Sequence, residues 1–174
     1  MTIFLHMKNL IYKQGNLLLA NDVQVVGHQA NCQNTFGSGI ARTIREMYPD
    51  AYAVDTLCAS KKSNTLGNFS MAYIPEEQSK KHNTQIKKIF NLYGQNLFGK
   101  GTRQTNYDAL YNALEGMSKY LTENDMDLPV PSVGFPFQMG SFRGGGNWDV
   151  VSRLIEVAFD DYPSDVIIYR LDAN

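Results

Sequence analysis

Cysteine is nearly absent from this chain: Cys32 and Cys58 are the two it has in 174 residues. A disulfide scaffold needs more, and the pair has no metal-ligand spacing, so both read as thiols of a reducing, cytoplasmic compartment. Long apolar runs are missing too. No stretch approaches the roughly 20 residues that cross a bilayer. The opening Met1 to Met7 lacks the cationic segment and long apolar run of a secretory leader. Excess charge of either sign is absent, with 16 Lys and Arg against 17 Asp and Glu. A general attraction to nucleic acid or to anionic membrane therefore has no electrostatic basis. Histidine occurs three times, and neither His6 nor His82 has a partner by sequence. No metal cluster can be assembled, and no cofactor is expected.

What is present suits a folded α/β protein. With 43% hydrophobic and 19% charged residues the composition excludes disorder and a collagen-like fibre. The length fits one domain over residues 1–174, with residues 1–8 as an N-terminal extension. Short β-branched or apolar runs predict strands at Asn9–Tyr12, Val23–Gly27, Phe69–Ile74, Lys88–Tyr93, Val130–Phe135 and Val166–Leu171. Helical spacing predicts helices over Ile40–Tyr48, stopped by Pro49, then Asp50–Cys58, Tyr107–Leu121 and Trp148–Phe159. Thr105 or Asn106 is available as the cap of the third of these helices. The polar stretch "PEEQSKKHNTQ" reads as an exposed loop. Strands alternating with helices argue for a three-layer α/β/α domain.

Two glycine-rich loops each follow a strand and open a helix. In "NTFGSGIA", Gly37 and Gly39 let the backbone approach a phosphate, to which the helix adds its partial positive end. The alternative is an ordinary glycine-rich turn. The second loop, "GSFRGGGNW", runs from Gly140 to Trp148. Two such loops suit a diphosphate better than one. The P-loop pattern is absent, and "GSGIAR" is not the dinucleotide fingerprint, so ATP hydrolysis and hydride transfer lose ground.

The segments "QGNLL", "HQANCQNTFGSGIA", "NLYGQ", "TNYDAL" and "VGFPFQMGSFRGGGNWDVV", in this order, resemble the macro domain family of ADP-ribose-binding modules. The resemblance covers nearly the whole chain and implies a mixed central sheet. It is strongest toward the ADP-ribose 1''-phosphate phosphatases, which process that compound, and it extends to macro domains that remove ADP-ribose from macromolecules. It implies ADP-ribose or ADP-ribose 1''-phosphate as ligand, with ADP-ribosylated macromolecules as further partners.

Residue by residue, the resemblance puts Gly15, Asn16 and Leu17 beside the adenine, with Asn16 where relatives carry an acidic acceptor for the adenine amino group. Leu171 lines the same pocket. Asn31 matches the asparagine aimed at the distal ribose. Phe36, Gly37, Ser38, Gly39 and Ile40 match the first phosphate loop. Met139 and Gly140, followed by Ser141, Phe142, Arg143 and Gly144, match the second. Asn147 stands where many relatives have aspartate before the tryptophan, so it is either a lost general base or a helix cap. Phe142 replaces a glycine common in close relatives, and would stack on the distal ribose or crowd the pocket. His28 reads as structural, and Cys32 as a buried thiol without a base to activate it. No lysine and aspartate pair of the DNA-directed branch is evident. The expected activity is hydrolysis at the distal ribose or its phosphate, with Asn31 orienting water. A non-catalytic reader is the competing expectation, favoured by Phe142 and Asn147.

Overall fold

The computed structural model describes residues 7–124 and 129–171. Six strands form one sheet: β1 Ile11–Gln14, β2 Val25–Asn31, β3 Phe69–Tyr73, β4 Lys88–Gln95, β5 Val133–Pro136 and β6 Val166–Arg170. Their order is β1-β6-β5-β2-β4-β3, parallel throughout except that β3 runs antiparallel to β4 at one edge. The helices are α1 Gly39–Met47, α2 Pro49–Ser60, α3 Glu76–Lys81, α4 Tyr107–Lys119 and α5 Trp148–Ala158.

Both faces of the sheet are covered, as the alternation of the strands shows. Val25, Phe90, Phe135 and Ile168 pack with Leu110, Leu114, Val151 and Ile155 of α4 and α5. Val26, Ile89, Tyr93 and Ile167 pack on the opposite side with Ile44 and Ala51 of α1 and α2. Strands buried on both faces read as apolar runs without alternation, which is why they were visible in the sequence. The expected three-layer α/β arrangement with a mixed sheet is present.

Several boundaries move. β1 lies two positions later than its apolar run suggests, and β5 begins at Val133 rather than Val130. β2 runs on through the polar residues "HQAN" to Asn31, and β4 through Gly94 and Gln95. The β2 extension pairs with β4 along its length: Asn31 lies opposite Gln95, and His28 lies opposite Asn91 with its Nε2 2.7 Å from Asn91 Oδ1. The stretch expected as a loop contains α3, a single short helix. Glu76 and Lys80 close it with a 2.7 Å ion pair, and the buried Ser79 hydroxyl donates to the Ile86 carbonyl. With no apolar periodicity to mark it, its only signals are acidic residues in its first turn and basic ones in its last. Of the expected N-terminal extension, residues 1–6, His6 among them, lie outside the described residues.

The topology places a switch point between β2 and β5. From β2 the chain leaves toward α1 and α2, and from the adjacent β5 it leaves toward α5 on the opposite face. Two neighbouring parallel strands whose connections part in this way leave an opening outside their carboxyl ends, where open α/β sheets bind ligands. Both glycine-rich loops begin there.

Candidate functional site

The first loop starts where β2 ends. The β2–β4 register shifts between Ala30 and Asn31: Ala30 pairs with Tyr93 and Asn31 with Gln95, so Gly94 of β4 bulges beside Asn31. Its side chain closes on its own loop. Nδ2 donates to Thr35 Oγ1 at 2.8 Å and to the Thr35 carbonyl at 3.2 Å, while Oδ1 accepts from the Gln33 N–H at 2.9 Å. Asn31 is thus a staple of the loop, and its capacity for a ligand is the remaining lone pair of Oδ1. Phe36 is buried under the loop, its ring edge-on to His28 at 5.3 Å. Ser38 stands at the N-cap of α1 without a side-chain cap, and the N–H groups of Gly39, Ile40 and Ala41 find no acceptor among the described residues. Such a helix start is suited to an anion.

The second loop is held from below. Thr105 Oγ1 donates to the Gly140 carbonyl at 2.6 Å and accepts from Gln29 Nε2 at 2.9 Å. Gln29 Nε2 also reaches Gln95 Oε1 at 2.7 Å, and the Gln104 and Thr105 N–H groups both donate to the Gly144 carbonyl. Gly140 has φ +71°, a backbone conformation that favours glycine, and a Cβ there would stand 2.8 Å from Gln29 Oε1. Met139 is buried, Ser141 is half-buried, and Phe142 is 80% exposed. The N–H groups of Arg143, Gly144 and Gly145 make no hydrogen bond within the described residues. Arg143 crosses to the first loop: a Cβ on Gly39 would lie 3.3 Å from its Cδ and Nε. Gly39 itself has φ +58°, a backbone conformation that favours glycine. The loops after β2 and β5 therefore meet, and a guanidinium lies at their junction.

Farther along the same edge, β1 and β6 bring Gly15 to Leu17 beside Leu171. The Gly15 N–H donates to the Arg170 carbonyl at 2.9 Å. Asn16 caps a short 3₁₀ turn, its Oδ1 accepting from the Leu18 N–H at 3.0 Å. Leu17 is buried, whereas Leu171 is 67% exposed. From β1 to β2 the edge spans three strand spacings, roughly 14 Å. That suits an elongated ligand better than a lone phosphate.

Neither candidate base nor nucleophile is poised for chemistry. Burial pulls the His28 imidazole down to about 4, so it is neutral at pH 7. Cys32 is half-buried rather than enclosed as expected, with its Sγ donating to the Gln95 carbonyl. Burial, and after it the Asp55 carboxylate, pushes that thiol up to about 11. Asn147 is the N-cap of α5, its Oδ1 accepting from the Asp149 N–H at 2.8 Å. Gln29, Gln95 and the loop-holding role of Thr105 were not legible in the sequence. Their signal was weak, polar residues at the ends of apolar strands.

No family model matches the sequence. Over 148 residues, 84% of each chain, it is 28% identical to an uncharacterized 17.5 kDa protein of Enterobacteria phage T4. The macrodomain of Mycobacterium tuberculosis DarG matches with TM-score 0.73 and 23% identity over 92% of this chain and 97% of that one. The chain has the macrodomain fold. Thermosipho africanus DarTG, solved in complex with ADP-ribose, gives TM-score 0.73 at 17% identity, over 93% of this chain and 42% of that longer one. An ADP-ribose 1''-phosphate phosphatase of Aspergillus fumigatus is 29% identical over 79 residues, 45% of this macrodomain chain and 38% of the relative.

Proposed function

We propose that this protein binds ADP-ribose along the carboxyl edge of the sheet and removes phosphate from ADP-ribose 1''-phosphate, giving ADP-ribose and inorganic phosphate. The observation that carries this reading is the meeting of two glycine-rich loops, with unpartnered N–H groups on both and Arg143 at their junction. Between them they offer donors for a diphosphate, with the adenine toward Asn16 and Leu171 and the distal ribose toward Asn31. The ligand of the DarTG structure and the activity of the fungal relative support the same substrate class.

With His28 neutral and buried and Cys32 held protonated, the chain has no strong base at these positions. Rate acceleration would come from positioning: loop N–H groups stabilise developing negative charge, and the free lone pair of Asn31 orients the attacking water or a ribose hydroxyl. Such an enzyme would be slow. The capping role of Asn147 and the exposure of Phe142 favour a second reading, a module that binds ADP-ribose without turning it over.

Phosphate release from ADP-ribose 1''-phosphate separates the two. The enzyme releases phosphate catalytically, and Asn31→Ala lowers that rate by roughly 10- to 100-fold, the loss of about 1.4 to 2.7 kcal/mol of transition-state positioning. Tight ADP-ribose binding by calorimetry with no phosphate release at any substrate concentration overturns the hydrolase and leaves the reader.

A further inference from the structure

Asn34, at the turn of the first loop, has φ +55°, a conformation that asparagine adopts more readily than most residues but which still needs support. Both hydrogens of its amide go to α2: Nδ2 donates to Asp55 Oδ2 at 2.7 Å and to Thr56 Oγ1 at 3.1 Å. Asp55 is a carboxylate without solvent exposure, and none of the ion pairs among the described residues includes it. Its charge is met by hydrogen bonds instead.

Asn91 Nδ2 donates to the Ala51 carbonyl and to Ser70 Oγ, both at 3.0 Å, so Asn91 Oδ1 is the acceptor for His28 Nε2–H. The Tyr93 hydroxyl spends its hydrogen on Asp55 Oδ1 at 2.6 Å. Ser70, which already accepts from Asn91, therefore donates to Tyr93 at 2.8 Å. From His28 through Asn91, Ser70 and Tyr93, one continuous run of hydrogen bonds leads toward Asp55. Burial and then the carboxylate drive the Tyr93 hydroxyl far above its ordinary range, so it stays a donor.

We propose that Asp55 is a positioning residue: by gripping Asn34 it fixes the loop from Asn31 to Phe36 in the shape that receives the distal half of the ligand. A buried charge fed by aligned donors makes a directional anchor, stiffer than a neutral pair. The ligand part of this inference rests on the ADP-ribose reading above.

The test uses two variants, ADP-ribose and AMP. Asn34→Gly removes the amide while tolerating positive φ, and Asp55→Asn keeps the volume while removing the charge. Each is expected to lower ADP-ribose affinity by about tenfold, the scale of a hydrogen bond to a charged group. AMP lacks the distal half, and its affinity should stay within about twofold of wild type by the same measure. The double variant should bind no more weakly than the weaker single, because both cut one interaction. Amide hydrogen exchange at Gln33, whose N–H is held by Asn31, should accelerate in both variants without ligand. Unchanged exchange at Gln33, equal losses for ADP-ribose and AMP, or additive losses in the double variant would overturn the proposal. If the wild type fails to bind ADP-ribose while exchange still accelerates, the Asp55 anchor stands and the ligand reading falls.

Discussion

At the scale of the residue, His28 shows how burial sets chemistry. It lies in the centre of the sheet with Nε2 donating to Asn91 and Nδ1 without a partner, so protonation in the folded state would place a charge where no water can reach. Its folded value of about 4 lies below the ordinary 6.5 of an unfolded histidine. Above pH 6.5 both states are neutral and the group has no effect. As pH falls from 6.5 toward 4 the unfolded chain takes up a proton that the folded one refuses, and stability drops by up to about 1.4 kcal/mol per unit. A melting temperature that declines from pH 7 to pH 5, with a shallower decline in His28→Gln, is the expected result. Equal slopes in the two proteins would contradict it.

At the scale of the element, helix starts do much of the work at the site, and they do it in two ways. α1 begins uncapped at Gly39, its first N–H groups without an acceptor among the described residues, whereas α5 begins with Asn147 capping its own first turn. The second has a measurable consequence. Asn147→Ala should lower stability by about 1 kcal/mol, the usual worth of an N-cap, and Asn147→Asp should be nearly neutral because a carboxylate caps equally well. Turnover of ADP-ribose 1''-phosphate by Asn147→Asp should match wild type. A clear gain in rate would instead reveal a general-base position that this chain has given up.

For the whole molecule, the sheet order decides which loops share an edge. β1, β6, β5 and β2 are successive neighbours, so loops distant in sequence line one edge. Gly15 to Leu17 and Asn31 then stand at opposite ends of that edge, and under the proposed function the adenine lies at the first and the distal ribose at the second. One ADP-ribose per chain is therefore expected in calorimetry, with AMP weaker because it leaves the second loop and the ribose end unfilled. At saturating concentration ADP-ribose should raise the melting temperature further than AMP does. Equal affinities would mean that the groove is read at its adenine end alone.

Much of this was legible in the amino-acid order. Residues buried on both sheet faces must be apolar, so the inner strands announced themselves as apolar runs; the exposed β1 and half-buried β3 showed as short apolar or β-branched runs, four helices by their spacing, and both loops by their glycines. The polar segments were harder to read, because their meaning depends on partners far away in the chain. "HQAN" became strand because His28 found Asn91 across β4, and α3 formed without an apolar stripe because Ser79 could donate to Ile86. Asn31 looked like a ligand-facing amide, yet two of its three hydrogen bonds go to Thr35 and the third comes from Gln33. Asn16 and Asn147 are local caps for a similar reason, since short amides bond most readily to backbone a few residues away. Tertiary structure alone decided that Arg143 lies on Gly39, that Thr105 carries the second loop, and that Asp55 holds Asn34. The first two contacts join elements brought together by the pairing of nonconsecutive strands, and the third joins a loop to a helix that folds back on it, neither of which local spacing in a sequence can encode.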